Sequence, residues 1–315
     1  MKSRVYILSF VAAIMLYGCR EAQHGRHDGP VEIAVDLDKA ERIPLGLGRL
    51  VQLETSDSSL IYDICALMPT RDNWIVQSRS FVRVFDKTSG KYLKDISRQG
   101  TGPGEYLGIN HIWADNDTIH LLDSNSQCIF DYTTSGYYLG KSMNLNGIEV
   151  EGLIRPSYAV ASPDKSVYYV INCYAGGTVE SNPQYSIISK DGEFIQHVPG
   201  REIQDGSFTP DRMYTDYEHG RVLAWEQLRD TLFAVDPDGV HPIYTFNFGK
   251  NRFPLESQAK PFFYQRVQDF NSNESEIPYA SLVKYFQTKD DNLFFSFLTD
   301  DNEQHNEAVS YTHLT

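Results

Sequence analysis

At 315 residues the chain could fold as two ordinary domains or as one large all-β domain. A hydrophobic share of 41% supports a real core, and 20 Tyr with 17 Phe suit strands better than helices. A formal net charge of −14 repels a phosphate backbone and anionic lipid, which argues against nucleic acid as a partner and against broad adhesion to membranes.

The chain opens MKSRVYILSFVAAIMLYGC, with Lys2 and Arg4 ahead of an apolar run from Val5 to Tyr17. That run is too short to span a bilayer comfortably and reads as an export signal. It ends Leu16-Tyr17-Gly18-Cys19, a small residue before a cysteine, which resembles the lipobox of bacterial lipoproteins. The resemblance implies a signal peptide over 1–18, cleavage before Cys19 and lipid on Cys19, hence an outer-membrane lipoprotein of the cell envelope. An ordinary secretory signal is the alternative. Residues 19–31 are polar and contain glycine, and read as a flexible tether. His24 and His27 lie in it, where nothing would hold two metal ligands together.

The first strand-like segment of the body is Arg49-Leu-Val-Gln-Leu-Glu54, expected to add a strand to the last sheet and close a ring. A repeat then runs down the chain. VRVFDKTSGKYL (82–93), CIFDYTTSGYYL (128–139), YSIISKDGEFI (185–195) and TLFAVDPDGVHPI (231–243) each join two β-rich runs through a polar turn ending in glycine. Another strand-like run precedes each: Trp74–Val76, Ile119–Leu122, Val167–Val170 and Val222–Trp225. Asp236-x-Asp238-Gly239 reads as a hairpin turn rather than a calcium loop, because the further oxygen ligands of an EF-hand are missing. Residues 256–270 are expected to carry a short helix limited by Pro261, and Leu293–Phe297 is a fifth strand run. Cys65, Cys128 and Cys173 form no C-x-x-C pair and read as buried free thiols.

A period near 45 residues with about four strands per unit predicts an all-β fold of antiparallel four-stranded propeller blades. About five blades fit into residues 32–308. The ending SYTHLT, taken as 309–315, reads as a non-native tail, with one blade expected beyond the present sequence. The stretch RQGTGPGEYLGI (98–109) falls between two repeats. Its G-x-G-x-G spacing, with strand rather than helix after it, makes it a corner and not a nucleotide fingerprint; Glu105 is expected to accept amides of that turn. Gly100-Thr-Gly-Pro-Gly-Glu-Tyr106, together with Phe85-Asp86-x-x-Ser-Gly90-Lys-Tyr-Leu93, closely resembles six-bladed β-propeller lipoproteins of gut bacteria, a group itself similar to NHL-repeat propellers.

No nucleophile elbow, H-E-x-x-H or P-loop is present, and no catalytic residue or cofactor is assigned. In a propeller, ligands meet the central channel where the inner strands begin. The candidates there are Asp63, His111, Tyr158 and Tyr214, with Ser157 and Ser281 nearby. Tyr62 and Trp113 could also stack on sugar rings, although blade packing is the plainer reading of any one aromatic. The expected function is a lipid-anchored, non-catalytic binding or scaffold module for a glycan or an envelope protein. The alternative is a propeller hydrolase or lyase, lactonase-like, with a channel metal held by Asp63 and His111.

Overall fold

A computed structural model describes residues 29–39, 50–115, 118–145, 156–172, 184–199, 212–226, 228–260, 263–289, 292–299 and 307–312. Four antiparallel sheets follow one another along the chain. The first holds β2 (Ala66–Pro69), β3 (Asn73–Gln77), β4 (Val82–Asp86) and β5 (Tyr92–Asp95). The second holds β6 (His111–Asp115), β7 (Thr118–Asp123), β8 (Cys128–Thr133) and β9 (Tyr138–Asn144). The third holds β10 (Pro156–Ala161), β11 (Val167–Asn172), β12 (Tyr185–Ser189) and β13 (Phe194–His197). The fourth holds β14 (Arg212–Asp216), β15 (Arg221–Trp225), β16 (Thr231–Asp236) and β17 (Gly239–Asn247), with β1 (Val31–Ala34) added along β17. A three-stranded sheet, β18 (Ala280–Lys289), β19 (Asn292–Thr299) and β20 (Glu307–Thr312), follows.

Within each blade the order in space is the order in sequence, so local turn chemistry sets the pairing. Asp86 Oδ1 accepts from the Thr88 and Ser89 amides, and Asp236 Oδ1 from those of Asp238 and Gly239. These carboxylates replace ladder partners at the strand ends and close each hairpin. In the β12–β13 turn Gly192 takes φ +89°, open to glycine without a Cβ clash.

The blades stack face to face. Ile75 and Val84 of the first meet Ile112, Ile119 and Leu121 of the second. Trp113 and Leu122 meet Ala159, Tyr168 and Val170 of the third. Tyr169, Ile171 and Ile187 meet Met213, Val222 and Ala224 of the fourth. Leu223, Trp225 and Phe246 meet Phe295 and Phe297 of the three-stranded sheet. The inner strands β2, β6, β10, β14 and β18 are neighbours in that succession, so they line one axis. Among the described residues this is a β-propeller arrangement of four blades, the fourth extended by β1, plus the three-stranded sheet, where about five blades were expected.

Four further expectations meet different outcomes. Residues 50–54 form no strand; the Glu54 amide donates to the Gly90 carbonyl at 2.8 Å and the Glu54 carboxylate accepts from the Tyr92 amide at 3.2 Å. That segment therefore packs on the β4–β5 turn of the first blade. The N-terminal strand that joins a late blade is β1, parallel to β17, with Val31 opposite Tyr244 and Ala34 opposite Asn247. Ile33, 1% exposed, gives it a place in the core. Cys65 is exposed and Cys128 half-buried, against the expectation of buried thiols; Cys173, like Cys19, His24 and His27, lies outside the described residues. Where one short helix over 256–270 was expected, the segment carries two, α1 (Leu255–Gln258) and α2 (Phe263–Asn271), on either side of Pro261. Strand β20 covers residues 309–312 of the expected tail, while 313–315 lie outside the described residues.

Candidate functional site at the entrance to the channel

The blade topology gives the disc two unlike ends. Turns from the first to the second strand of a blade, and from the third to the fourth, lie at one end and are short. Turns from the second to the third strand, and the crossings to the next blade, lie at the other. That end, the entrance face, carries the starts of the inner strands, the 98–109 corner and the helical segment between β17 and β18.

Three inner strands come together at the entrance through His111 and Arg212, the first residues of β6 and β14, and Tyr158, the third of β10. The His111 ring stacks on Tyr158 with centroids 3.5 Å apart, and Arg212 Cζ lies 5.7 Å from the Tyr158 ring centroid. Behind His111 the stack continues inward, to Trp113 at 5.5 Å and from Trp113 to His120 at 5.0 Å. His120 Nδ1 lies 2.7 Å from Asp131 Oδ1. The line of rings thus runs from a buried His–Asp pair to an aromatic face and a guanidinium at the channel.

Desolvation pushes the His111 imidazole down to about 3, with the Arg212 charge acting in the same direction and the Ala159 backbone opposing. The ring is therefore neutral at physiological pH. Buried His111 Nδ1 and Trp113 Nε1 have no hydrogen-bond partner among the described residues. Of this cluster Tyr158 and Arg212 are half-buried, and a phenol ring and a guanidinium can meet hydroxyls and a flat or sugar-like ring. Among the described residues no carboxylate pairs with His111; the carboxylate of the line, Asp131, pairs with His120 behind Trp113.

The structure joins His111 and Tyr158 and separates the other two candidates. Asp63 accepts from Ser78 Oγ at 2.5 Å and from the Arg79 amide at 3.4 Å, ahead of the first blade. The Ser78 hydroxyl is the main reason its carboxyl titrates below the usual range. Tyr214 packs toward the three-stranded sheet, where burial raises its hydroxyl. Tyr62 is exposed and edge-on to Phe81 at 5.6 Å. Ser157 Oγ donates to the Ile171 carbonyl at 3.4 Å, and Ser281 is fully buried. Among the described residues no group of three or more His, Cys, Asp or Glu could hold a metal ion. Arg212 and His120 are the residues that sequence reading missed. Arg212 carried one usable signal, its place at the start of an inner strand.

The corner beside the site is a closed structure. Glu105 Oε2 accepts from the Gly102 amide at 2.8 Å, and Oε1 meets Arg98 Nε at 2.5 Å. The Arg98 bond, then the Gly102 amide, holds this carboxyl below its ordinary value. The Gly104 carbonyl accepts from Ser97 Oγ at 2.5 Å and from Tyr132 at 2.6 Å. Asp123, fully buried, accepts the Leu107 amide at 2.6 Å and ties the corner to the β7–β8 turn. Across the entrance face, buried Arg266 of α2 donates to Glu226, while Arg252 and Gln258 each reach Asp230 at 2.7 Å. These bonds dock the helical segment on the β15–β16 turn.

Residues 48–312 match the family described as Domain of unknown function (DUF4934). The chain belongs to this family. The DUF4934 region takes in all four blades and the three-stranded sheet, while β1 lies ahead of it. In fold, the chain is similar to a protein of Bacteroides fragilis described as exported, with TM-score 0.65 and 16% identity over 90% of this chain and 80% of that one. It also matches a member of the duf4221 family from Bacteroides vulgatus, with TM-score 0.46 and 11% identity over 78% and 80%. PorZ, a surface component of the type-IX secretion system of Porphyromonas gingivalis, matches with TM-score 0.40 and 10% identity over 80% of this chain and 28% of that one. No curated protein sequence matches the DUF4934 chain.

Proposed function

We propose that this protein is a lipid-anchored β-propeller of the outer membrane, of the six-bladed, NHL-like type, that binds a glycan or an envelope protein at its entrance face without catalysing a reaction. The observation that carries the reading is the His111–Tyr158–Arg212 stack, built from the starts of three successive inner strands. Leu16–Cys19 supports the anchor, and the resemblance at Gly100–Tyr106 supports the blade number. The likeness in fold to an exported Bacteroides protein agrees with an envelope location. The test is glycan-array and envelope-extract binding by the lipidated protein, beside Tyr158→Ala and Arg212→Ala. Each substitution is expected to weaken binding about tenfold, roughly 1.4 kcal/mol, measured well below each variant's melting temperature. A wild-type protein that retains no partner, or variants that bind equally well, would overturn it.

A further inference from the structure

We infer that the entrance lip of the first blade, Leu60, Tyr62 and Ile64 beside Arg79, is a docking surface for a protein segment that carries aliphatic or aromatic side chains next to a carboxylate. The inference rests on the reading of the entrance face as the binding face, and it names a protein rather than a glycan for this part of it.

Residues 60–65 lead into β2, whose first residue Ala66 stands at the entrance. Asp63 fastens them to the β3–β4 turn through Ser78 Oγ and the Arg79 amide, and the Cys65 amide donates to the Gln77 carbonyl at 2.8 Å. Tyr62 lies edge-on to Phe81 of the same turn. Ahead of this run the chain alternates as a surface segment should: Val51 and Leu53 are half-buried, and Gln52 and Glu54 are exposed. From Leu60 the alternation inverts. Ile61 and Asp63 are half-buried, while Leu60, Tyr62 and Ile64 are 48%, 72% and 58% exposed. Leu67 of β2 is exposed as well, on the side of the strand away from Ala66 and Met68, which pack toward the second blade. A carboxylate turned inward and large apolar side chains turned outward do not stabilise the chain by itself; they suit a surface that is covered on binding.

Charge selects the partner. Asp63 is the charged residue of 60–69 and Arg79 that of 73–81, so the lip is neutral in a chain of net charge −14. A partner therefore meets none of the repulsion that the rest of the surface offers an acidic group. The Arg79 side chain is 88% exposed, and its Nε lies 3.6 Å from Asp63 Oδ2, beyond hydrogen-bond reach. Among the described residues its guanidinium donates no hydrogen bond. A guanidinium with unfilled donors is matched by a carboxylate, and an arginine beside a tyrosine is the composition of protein-interface hot spots. The side chains of Leu60, Ile64 and Leu67 offer a glycan neither a hydrogen bond nor a flat ring to stack on, whereas a protein segment can bury them against its own apolar side chains.

The test pans a displayed library of random peptides on the full, processed chain, then titrates the most enriched peptide by fluorescence anisotropy. Enriched peptides are expected to combine aliphatic or aromatic residues with Asp or Glu. Ile64→Asp should weaken the best of them about tenfold or more with an unchanged melting temperature, because the exposed Ile64 side chain supports nothing in the fold. Arg79→Glu should weaken it as much, and a lysine in place of the peptide's carboxylate should restore binding to Arg79→Glu and not to wild type. No enrichment, or a peptide that binds both variants as tightly as wild type, would overturn the inference, as would a glycan that wild type binds and Ile64→Asp loses. A clear fall in the melting temperature of Ile64→Asp would mean that the chain covers the lip itself. A dimer in sedimentation that Ile64→Asp disperses would give the lip to a second copy, and either result overturns the inference. The lip and the stack fail separately: Tyr158→Ala is expected to leave the peptide bound, and binding lost with Tyr158→Ala but kept with Ile64→Asp would overturn the lip and leave the stack standing.

Discussion

His111 and Gly104 show how much of this molecule is decided at single residues. A histidine held neutral in the fold down to about pH 3 makes the folded state bind fewer protons than the unfolded one below the ordinary value near 6.5. Its contribution is therefore complete above about pH 6.5 and is lost as the pH falls toward 3. At pH 5 the loss amounts to about 2 kcal/mol. Urea unfolding of wild type and His111→Phe at pH 7 and pH 5 should show the variant's difference between the two pH values smaller by that amount; equal differences would refute the assignment. Gly104 sits at φ +72°, and a Cβ there would come within 2.5 Å of the Tyr138 ring. Gly104→Ala should cost at least about 2 kcal/mol in the same assay. The glycine corner was legible as a turn because glycine and proline act locally. Its cause was not, because Tyr138 lies on β9 of the next blade.

Among the elements, the helical segment and β1 depend most on partners far away in sequence. Arg266 is fully buried and Glu226 nearly so, on α2 and the β15–β16 turn. Removing one member of such a pair leaves a charge without compensation, so Glu226→Ala should destabilise by about 3 kcal/mol or more. The double change Glu226→Leu with Arg266→Met should recover most of that loss, as chemical denaturation would show. Strand β1 illustrates the reverse lesson. Sequence reading took Arg49–Glu54 as the closing strand and placed Val31 in the tether. The edge of β17 and the core niche filled by Ile33 select Val31–Ala34 instead. Nothing in four residues reveals which edge is open to them. The hairpins, by contrast, were readable throughout, because both strands and the turn residue lie within a dozen positions.

At the scale of the whole molecule, each blade leans on its neighbours through one apolar layer, and stability is passed along in steps. Phe297 is 3% exposed in the layer joining the fourth blade to the three-stranded sheet. Phe297→Ala should cost about 3 kcal/mol. In hydrogen exchange the loss of protection should be concentrated in β14–β20 and small in β2–β9; uniform loss would mean a single cooperative unit. The sequence by itself determined the all-β class, the repeat and the hairpins, and it put His111 and Tyr158, which the structure stacks together, among its candidates. All of these follow from side-chain alternation and turn chemistry acting over a few residues. The tertiary structure alone decided that Arg212 rather than Tyr214 closes the stack, that Asp63 braces the β3–β4 turn, and that β1 seals the fourth blade. Each of those outcomes depends on which surfaces meet when separate sheets pack around a common axis, and that meeting has no local signature in the chain.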